Sequence, residues 1–253
     1  ILSINFALIL TFLTLLTGIV LILNFFFWKY DRGQNKPHPK ILITLIDFSR
    51  SFFPVLLFVL FVRSFVFEPF RIPSGSMKPT LIVGDFIFVK KFSYGLRLPV
   101  TETKILDIGL PERGDVVVFR LPSNPNVNYI KRVIGLPGDQ ITYKNHRLKI
   151  NGKLIDISKT DEFFESTPIY NENLDGRIHE TIFHNKSWSN RNSIYVVPKG
   201  EYFFMGDNRD RSRDSRYIGT VPEEYLVGEA VRVWMHFVPW EMPDWRRIGM
   251  KIK

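Results

Sequence analysis

The sequence predicts a mostly β protein in which N-terminal transmembrane helices precede an all-β domain of packed antiparallel sheets with an inserted β lobe. Three observations lead there. Residues 1–28 hold no charged side chain, and a second apolar stretch follows at 41–67. After Glu68, short β-branched and aromatic runs alternate with Gly and Pro breakers, the pattern of short strands joined by turns. No long stretch beyond that point shows the 3.6-residue apolar period of an amphipathic helix.

The first apolar run is long enough to cross a bilayer, since about 20 helical residues span a core of roughly 30 Å. It lacks the basic start and the small-x-small site of a cleavable signal peptide, so a retained transmembrane helix is expected at residues 1–28. The next stretch carries Lys29, Arg32, Lys36 and Lys40 against Asp31. Basic loops beside a span face the cytoplasm, which places residues 29–46 there. The second stretch is interrupted by Asp47, Arg50 and Arg63. Asp47 and Arg50 lie one helical turn apart and can pair, and Arg63 can snorkel to an interface. A second transmembrane helix is expected at residues 47–67. Two spans put residues 68–253 outside the membrane; one span would leave them in the cytoplasm.

The strands read at residues 85–89, 115–119, 129–134, 194–197 and 202–205, with a hairpin at 148–155 turning on Asn151-Gly152, a strong hairpin signal. Residues 157–193 are polar and irregular, and read as long loops or part of an inserted lobe at about 140–200. The chain has no cysteine, which excludes a disulfide scaffold, a Cys₄ zinc site, an iron–sulfur cluster and a cysteine nucleophile. The net charge of +9 from 34 Lys+Arg and 25 Asp+Glu favours anionic surfaces. Near the C-terminus Trp234, Phe237, Trp240 and Trp245 lie beside Arg246, Arg247, Lys251 and Lys253. That mixture suits a membrane-interface surface or ordinary core packing.

Three segments carry chemistry. Ser74-Gly75-Ser76 sits between Pro73 and Pro79. The prolines bar a helix and Gly75 permits close approach of another chain, so both serines are candidates for a rigid, exposed turn. A serine nucleophile needs a base. His38, His146, His179, His184 and His236 sit in no motif that marks them for the task, and the five-residue spacing of His179 and His184 argues against a metal pair. Lys131 lies in the apolar run 129–135, sharing a strand face with Tyr129 and Val133. Buried, it would have a lowered pKa and could serve as a base; on an edge strand it would be solvated, with Arg132 inward instead. The third segment, residues 206–216, mixes four Arg, three Asp and two Ser. Its interspersed aspartates cancel the field a nucleic-acid patch needs, so a salt-bridged loop is the better reading.

These segments together resemble the bacterial type I signal peptidases, membrane serine proteases of the Ser/Lys dyad class. The resemblance rests on PSGSMKPTL at 73–81, GDFIFVKKFSYG at 84–95, RGDVVVF at 113–119, YIKRVIGLPGD at 129–139 and MGDNRDRSRDSR at 205–216, in that order. It implies Ser76 as nucleophile and Lys131 as general base. It implies that Ser74 helps hold the oxyanion, that Ser212 orients Lys131, and that Asp214 and Arg216 form a supporting ion pair. It implies a substrate surface of Phe70, Ile72, Ile87, Val118, Tyr129 and Ile130, and signal peptides of secreted preproteins, cut after a small-x-small motif, as the substrate. No cofactor, metal or nucleic acid is implied. The phospholipid bilayer is the second partner, and the implied location is the bacterial inner membrane, multi-pass, with the catalytic domain at residues 68–253 on the periplasmic side. Two rival readings are a self-cleaving Ser/Lys repressor, which the hydrophobic N-terminus opposes, and a membrane-tethered binding module with an inert dyad.

Overall fold

The computed structural model describes residues 6–30, 38–98, 103–184, 193–240 and 242–252. Residues 1–5 of the first apolar run, 31–37 of the basic loop (with Asp31, Arg32 and Lys36), 185–192 of the polar stretch and Lys253 lie outside them. The chain divides into two compact units, Ile1–Phe67 with Leu96–Leu106, and Glu68–Gly95 with Asp107–Lys253. The excursion at 96–106 therefore belongs with the helices, not with the β unit to which the sequence reading gave it.

In the first unit, helix α1 (Phe6–Leu23) runs on through a π-helical turn at Asn24–Trp28. Helix α2 (Lys40–Phe61) continues through a second such turn at Val62–Val66. Helix α2 starts seven residues before the boundary placed at residue 47, because the apolar residues at 41–43, 45 and 46 continue its stripe and Asp47 is carried within it. Arg50 Nη2 donates to the Tyr30 carbonyl at 2.7 Å, so its charge is met inside the helical pair. Asn24 bonds both the N–H and the carbonyl of Tyr30, at 3.0 and 3.1 Å, and turns the chain after α1. Gly18 lets the Phe53 ring lie against the α1 backbone. The windows Ala7–Trp28 and Lys40–Val66 have mean hydropathy 2.4 and 2.0, yet only 28% and 11% of them is buried within the protein. Phe12, Leu15, Phe25 and Phe58 point outward. A core helix would hide such side chains; an apolar outer surface of this length is that of a membrane-anchored chain.

The strands follow in chain order: β1 Phe67–Arg71, β2 Asp85–Lys90, β3 Leu96–Arg97, β4 Lys104–Leu106, β5 Val116–Leu121, β6 Asn124–Gly135, β7 Gln140–Lys144 and β8 Arg147–Ile150. Then come β9 Lys153–Leu154, β10 Asp156–Phe164, β11 Thr167–Leu174, β12 Arg177–Ile182, β13 Ser193–Val196, β14 Glu201–Met205, β15 Val221–Pro222 and β16 Leu226–His236. The main sheet has the order β1-β2-β16-β5-β6-β14-β15, and β3 pairs with β4 in the first unit. The lobe holds the sheets β13-β7-β8-β9 and β10-β11-β12. Adjacent strands from β2 to β15 in the main sheet pair antiparallel. Both faces of the main sheet are covered. Ile72, Ile87, Val89, Val118, Ile130 and Val233 pack in one cluster. Val117, Phe119, Val133, Phe204 and Leu226 pack in another.

One expectation is corrected here. Residues 157–182 are not irregular: β10, β11 and β12 form a regular antiparallel meander. Its turns, Glu165-Ser166 and Asp175-Gly176, have positive φ at both residues (46° and 66°, 50° and 91°), the geometry that matches hairpin twist. The strands are polar because much of their surface is exposed, so apolar alternation is weak.

The meander is tied inward by buried charge. Glu172 on β11, His179 on β12 and Arg209 are all buried. Arg209 makes a two-pronged contact with Glu172, one arm at 2.7 Å, and His179 Nε2 lies 3.3 Å from the same carboxylate. Burial pushes the Glu172 carboxyl up, but Arg209 and His179 outweigh it and hold it far below the usual range. Removing one partner of a buried pair leaves an uncompensated charge, at about 3–5 kcal/mol. Arg209→Met is therefore expected to lose that much stability in urea denaturation, and Arg209→Met with Glu172→Gln to regain most of it. A single variant as stable as wild type would show that the pair does not form.

Candidate active site

The loop between β1 and β2 is held at both ends before it presents its serines. Ile72 N–H donates to the Asp85 carbonyl at 2.8 Å and Gly84 N–H donates back to the Ile72 carbonyl at 3.1 Å. Met77 and Leu81 are wholly buried in the core and anchor the middle. The C-terminal segment adds a clamp: Arg247 Nη2 donates to the Thr80 carbonyl at 3.1 Å, and its Nε to Asp85 at 2.8 Å. Between these anchors Ser76 is buried and Ser74 exposed, their hydroxyls 3.4 Å apart.

Strand β6 delivers the amine. Lys131 and Arg132 are adjacent and leave the strand on opposite faces, and both are buried, at 4% and 1% exposure. The reading of Lys131 as a solvated residue on an edge strand is overturned, since β6 lies between β5 and β14; Arg132 is inward as that reading had it, but so is Lys131. Lys131 Nζ donates to Ser76 Oγ at 2.8 Å and to the Ile130 carbonyl at 2.7 Å. Burial pulls its pKa down to about 8, against the Asp214 and Asp207 carboxylates, which favour the charged form. Arg132 forks onto Asp207 through Nε and Nη2 at 2.8 and 2.7 Å, and Asp207 accepts a further 2.6 Å bond from Thr80. Although burial pushes it up, Arg132 holds the Asp207 carboxyl below its ordinary value.

The Arg- and Asp-rich loop is the third wall, and it is salt-bridged, as its composition suggested. Arg216 Nε and Nη2 each reach an oxygen of Asp214 at 2.8 Å, and Asp214 also accepts the Gly206 N–H at 3.0 Å. Ser212 Oγ is buried and makes no hydrogen bond; the bond to Lys131 implied by the resemblance is not formed, and Nζ instead donates to Ser76 and the Ile130 carbonyl. Ser212 instead packs against the Cα of Gly206, where a Cβ would collide with Ser212 Oγ and the Ser76 carbonyl.

Of the expected substrate surface, Ile72, Ile87, Val118 and Ile130 share one cluster, with Phe70 against it. Tyr129, one residue from Ile130, packs on the opposite cluster, and its ring centre lies 5.3 Å from Lys131 Nζ. The C-terminal aromatics split: Trp234 packs with Phe86 and Phe88, at ring separations of 5.7 and 5.5 Å, while Trp240 and Trp245 are exposed. Among the described residues no three His, Asp or Glu side chains converge as a metal site.

Two contributors escaped the sequence reading. Asn208 N–H donates to the Ser76 carbonyl at 3.1 Å and its Nδ2 to the Gly75 carbonyl at 3.0 Å, fixing the serine loop from behind. Gly206 provides the close approach just described. Both stand in the segment singled out for its charges, but neither is charged, and their partners are remote in sequence. A serine hydroxyl hydrogen-bonded to a buried amine of lowered pKa can act as an activated nucleophile.

A family model described as signal peptidase, peptidase S26, matches residues 45–235. Signal peptidase I of Pseudomonas aeruginosa is 46% identical over 250 residues, covering 88% of this chain and 87% of the relative. That of Pseudomonas fluorescens is 42% identical over 284 residues, covering 98% and 99%. That of Buchnera aphidicola from Schizaphis graminum is 39% identical over 294 residues, covering 95% and 92%. The matched residues include the serine loop, strand β6 and the Arg–Asp loop, and the chain belongs to the signal peptidase family S26, whose members are peptide hydrolases.

Proposed function

We propose that the chain is a membrane-bound serine endopeptidase that removes signal peptides from secreted preproteins after a small-x-small motif. The observation that carries the mechanism is the 2.8 Å contact between the buried Lys131 Nζ and Ser76 Oγ. Neutral Lys131 takes the Ser76 proton as Oγ attacks the scissile carbonyl. The Ser76 N–H and the Ser74 hydroxyl stabilise the oxyanion. The lysine then protonates the departing amine, and in the second half it deprotonates the water that releases the acyl group. Ser212 Oγ, buried and unbonded, is the acceptor assigned to Lys131 once Ser76 has turned to the substrate. The apolar cluster of Phe70, Ile72, Ile87, Val118 and Ile130, buried apart from Phe70, is assigned as the floor on which alanine is accepted and larger side chains are excluded, while Tyr129 lines the approach to Lys131.

In this reading α1 and α2 both span the bacterial inner membrane and residues 29–39 face the cytoplasm. The β unit lies on the periplasmic side. Trp240, Met242 and Trp245, all largely exposed, rest on the bilayer surface beside Arg246.

A lysine base works only when deprotonated. Cleavage of a preprotein with an Ala-x-Ala site should rise with pH through an apparent pKa of about 8, the value burial gives Lys131, measured in detergent from pH 6 to 10. Ser76→Ala and Lys131→Ala should lose roughly 10³-fold or more in kcat. Retained cleavage in either variant would sink the mechanism.

The same burial carries a stability cost. Burial holds the folded pKa of Lys131 at about 8 against the 10.5 of an exposed lysine, so the folded state binds its proton less tightly than the unfolded chain. The penalty, about 3 kcal/mol at roughly 1.4 kcal/mol per unit, is full below pH 8 and fades as pH rises toward 10.5. Lys131→Met should be inactive yet more stable than wild type at pH 7, with the gain shrinking by pH 10. Equal gains at both pH values would contradict a buried, titrating amine.

Gly206→Ala would push Ser212 and the Ser76 carbonyl apart. A displacement of about 1 Å at reacting groups costs on the order of 10²-fold in rate, so kcat of the folded enzyme should fall by about that factor; because one clashing atom is a backbone carbonyl, overpacking of about 1–3 kcal/mol should lower the melting temperature as well. An unchanged kcat would show that Ser212 is free to move.

A further inference from the structure

The apolar surface accounts for the chain on one side of the nucleophile, and different elements build the other. Gly75, Lys78 and Asn208 border a cleft of about 240 Å³ whose far wall is Glu165, Thr167 and His184. Thr167 and His184 also line a larger cleft of about 510 Å³ between β8, β10, β11 and β12. The two clefts share Thr167 and His184 as a common wall, and the smaller one reaches the serine loop at Gly75 and Lys78.

The chemistry of the larger cleft is one-sided. His146, Arg147, Lys159 and His184 line it; the Asp210 carboxylate meets the His146 ring at 3.0 Å and accepts the His184 N–H at 2.8 Å, so the unmatched charge is that of Arg147 and Lys159. Arg147 and Lys159 are exposed, and neither side chain has an ionic partner among the described residues. Where the smaller cleft does hold an acid, Glu165, it is paired with Lys78 at 2.8 Å. Tyr170 and Phe183 meet edge to face at 5.2 Å and supply an aromatic wall. Two exposed, unpaired cations in a cleft with an aromatic wall, next to a cleft that borders the serine loop, fit a polypeptide bearing carboxylates.

We propose that the two clefts form one groove that binds the segment of the preprotein just downstream of the cut, and that Arg147 and Lys159 make it favour acidic residues there. The proposal rests on the peptidase reading above. It gives the lobe a role in substrate choice: the signal peptide is read by small apolar contacts and the passenger by charge. About eight extended residues reach roughly 26 Å at ~3.3 Å each, so the preference is expected within the first turns of chain after the cut.

The test uses full-length enzyme in zwitterionic detergent and preproteins identical except for a Glu, Gln or Lys pair moved through the eight residues after the cut. Wild type should prefer Glu over Lys at the responsive positions by roughly fivefold, the scale of solvent-exposed ion pairs. The preference should lie mainly in KM and flatten at high salt. Arg147→Glu with Lys159→Glu should invert the order. The result is read as a ratio within each enzyme, so any overall loss cancels.

A flat wild-type profile overturns the proposal, and so does a variant that keeps the wild-type order. If the variant differs from wild type only when anionic phospholipid vesicles are added, whatever the passenger charge, the cleft holds a lipid headgroup and the proposal fails. Failure of wild type to cut any of the substrates would instead strike the peptidase reading, and this one with it.

Discussion

An ammonium loses its hydration when it is buried, and the site is built on that loss. Lys131 is drawn down to a pKa of about 8 by burial, although Asp214 and Asp207 pull the other way. Two full carboxylates facing an amine would ordinarily restore its charge. Here each is already held by a guanidinium: Arg216 bonds Asp214 and Arg132 bonds Asp207. The pairs are close to neutral as units, so their residual field is too small to recharge the lysine. The salt bridges around the site therefore matter less for the energy they contribute than for the field they cancel, since buried pairs are weak sources of net stability.

The same requirement explains why β6 is covered on both faces. Lys131 and Arg132 are neighbours, so strand alternation sends one to each side. If either face were open, Lys131 would be solvated or Asp207 would lose its partner. The main sheet places β6 between β5 and β14, and the apolar clusters on its two faces close Ile130–Gly135 off from water, while Asn124–Asn128 stay exposed. Asn208 then adds what electrostatics cannot: two bonds to the carbonyls of Gly75 and Ser76 that fix the serine loop relative to the lysine.

What could be read from residues follows a physical boundary. Asp85–Lys90, Val116–Leu121 and Glu201–Met205 announced themselves as strands because they are buried in the main sheet and hence densely apolar. The β10–β12 meander does not, because its strands are polar and partly exposed; the signal it does carry is the Asp175-Gly176 turn, equal in kind to Asn151-Gly152. In the site, Ser74, Ser76 and Lys131 stood out as reactive types in unusual surroundings, though neither alternation nor spacing could decide between Lys131 and Arg132 as the inward residue. That depended on whether both faces of β6 are covered, which is a property of the sheet and not of the strand. Asn208 and Gly206 carry no chemical label at all, since their work is to meet backbone atoms more than a hundred residues away in the chain.

The lobe joins these levels. Its interior side presents Glu172 and His179 to Arg209, which also bonds the Gly206 carbonyl through Nε at 3.2 Å. Its exterior side presents Arg147 and Lys159 to the larger cleft, which shares Thr167 and His184 with the one beside the serine loop. His184 belongs to both, lining the cleft while its Nε2 lies 3.1 Å from the Asn208 side chain that grips Gly75. A chain lying in the groove would thus press on a residue two contacts from the nucleophile. Were the proposed groove occupied, His184 and Asn208 would carry its contacts to the Ser76 carbonyl by direct bonds, which gives the polar insertion a part in the proposed chemistry.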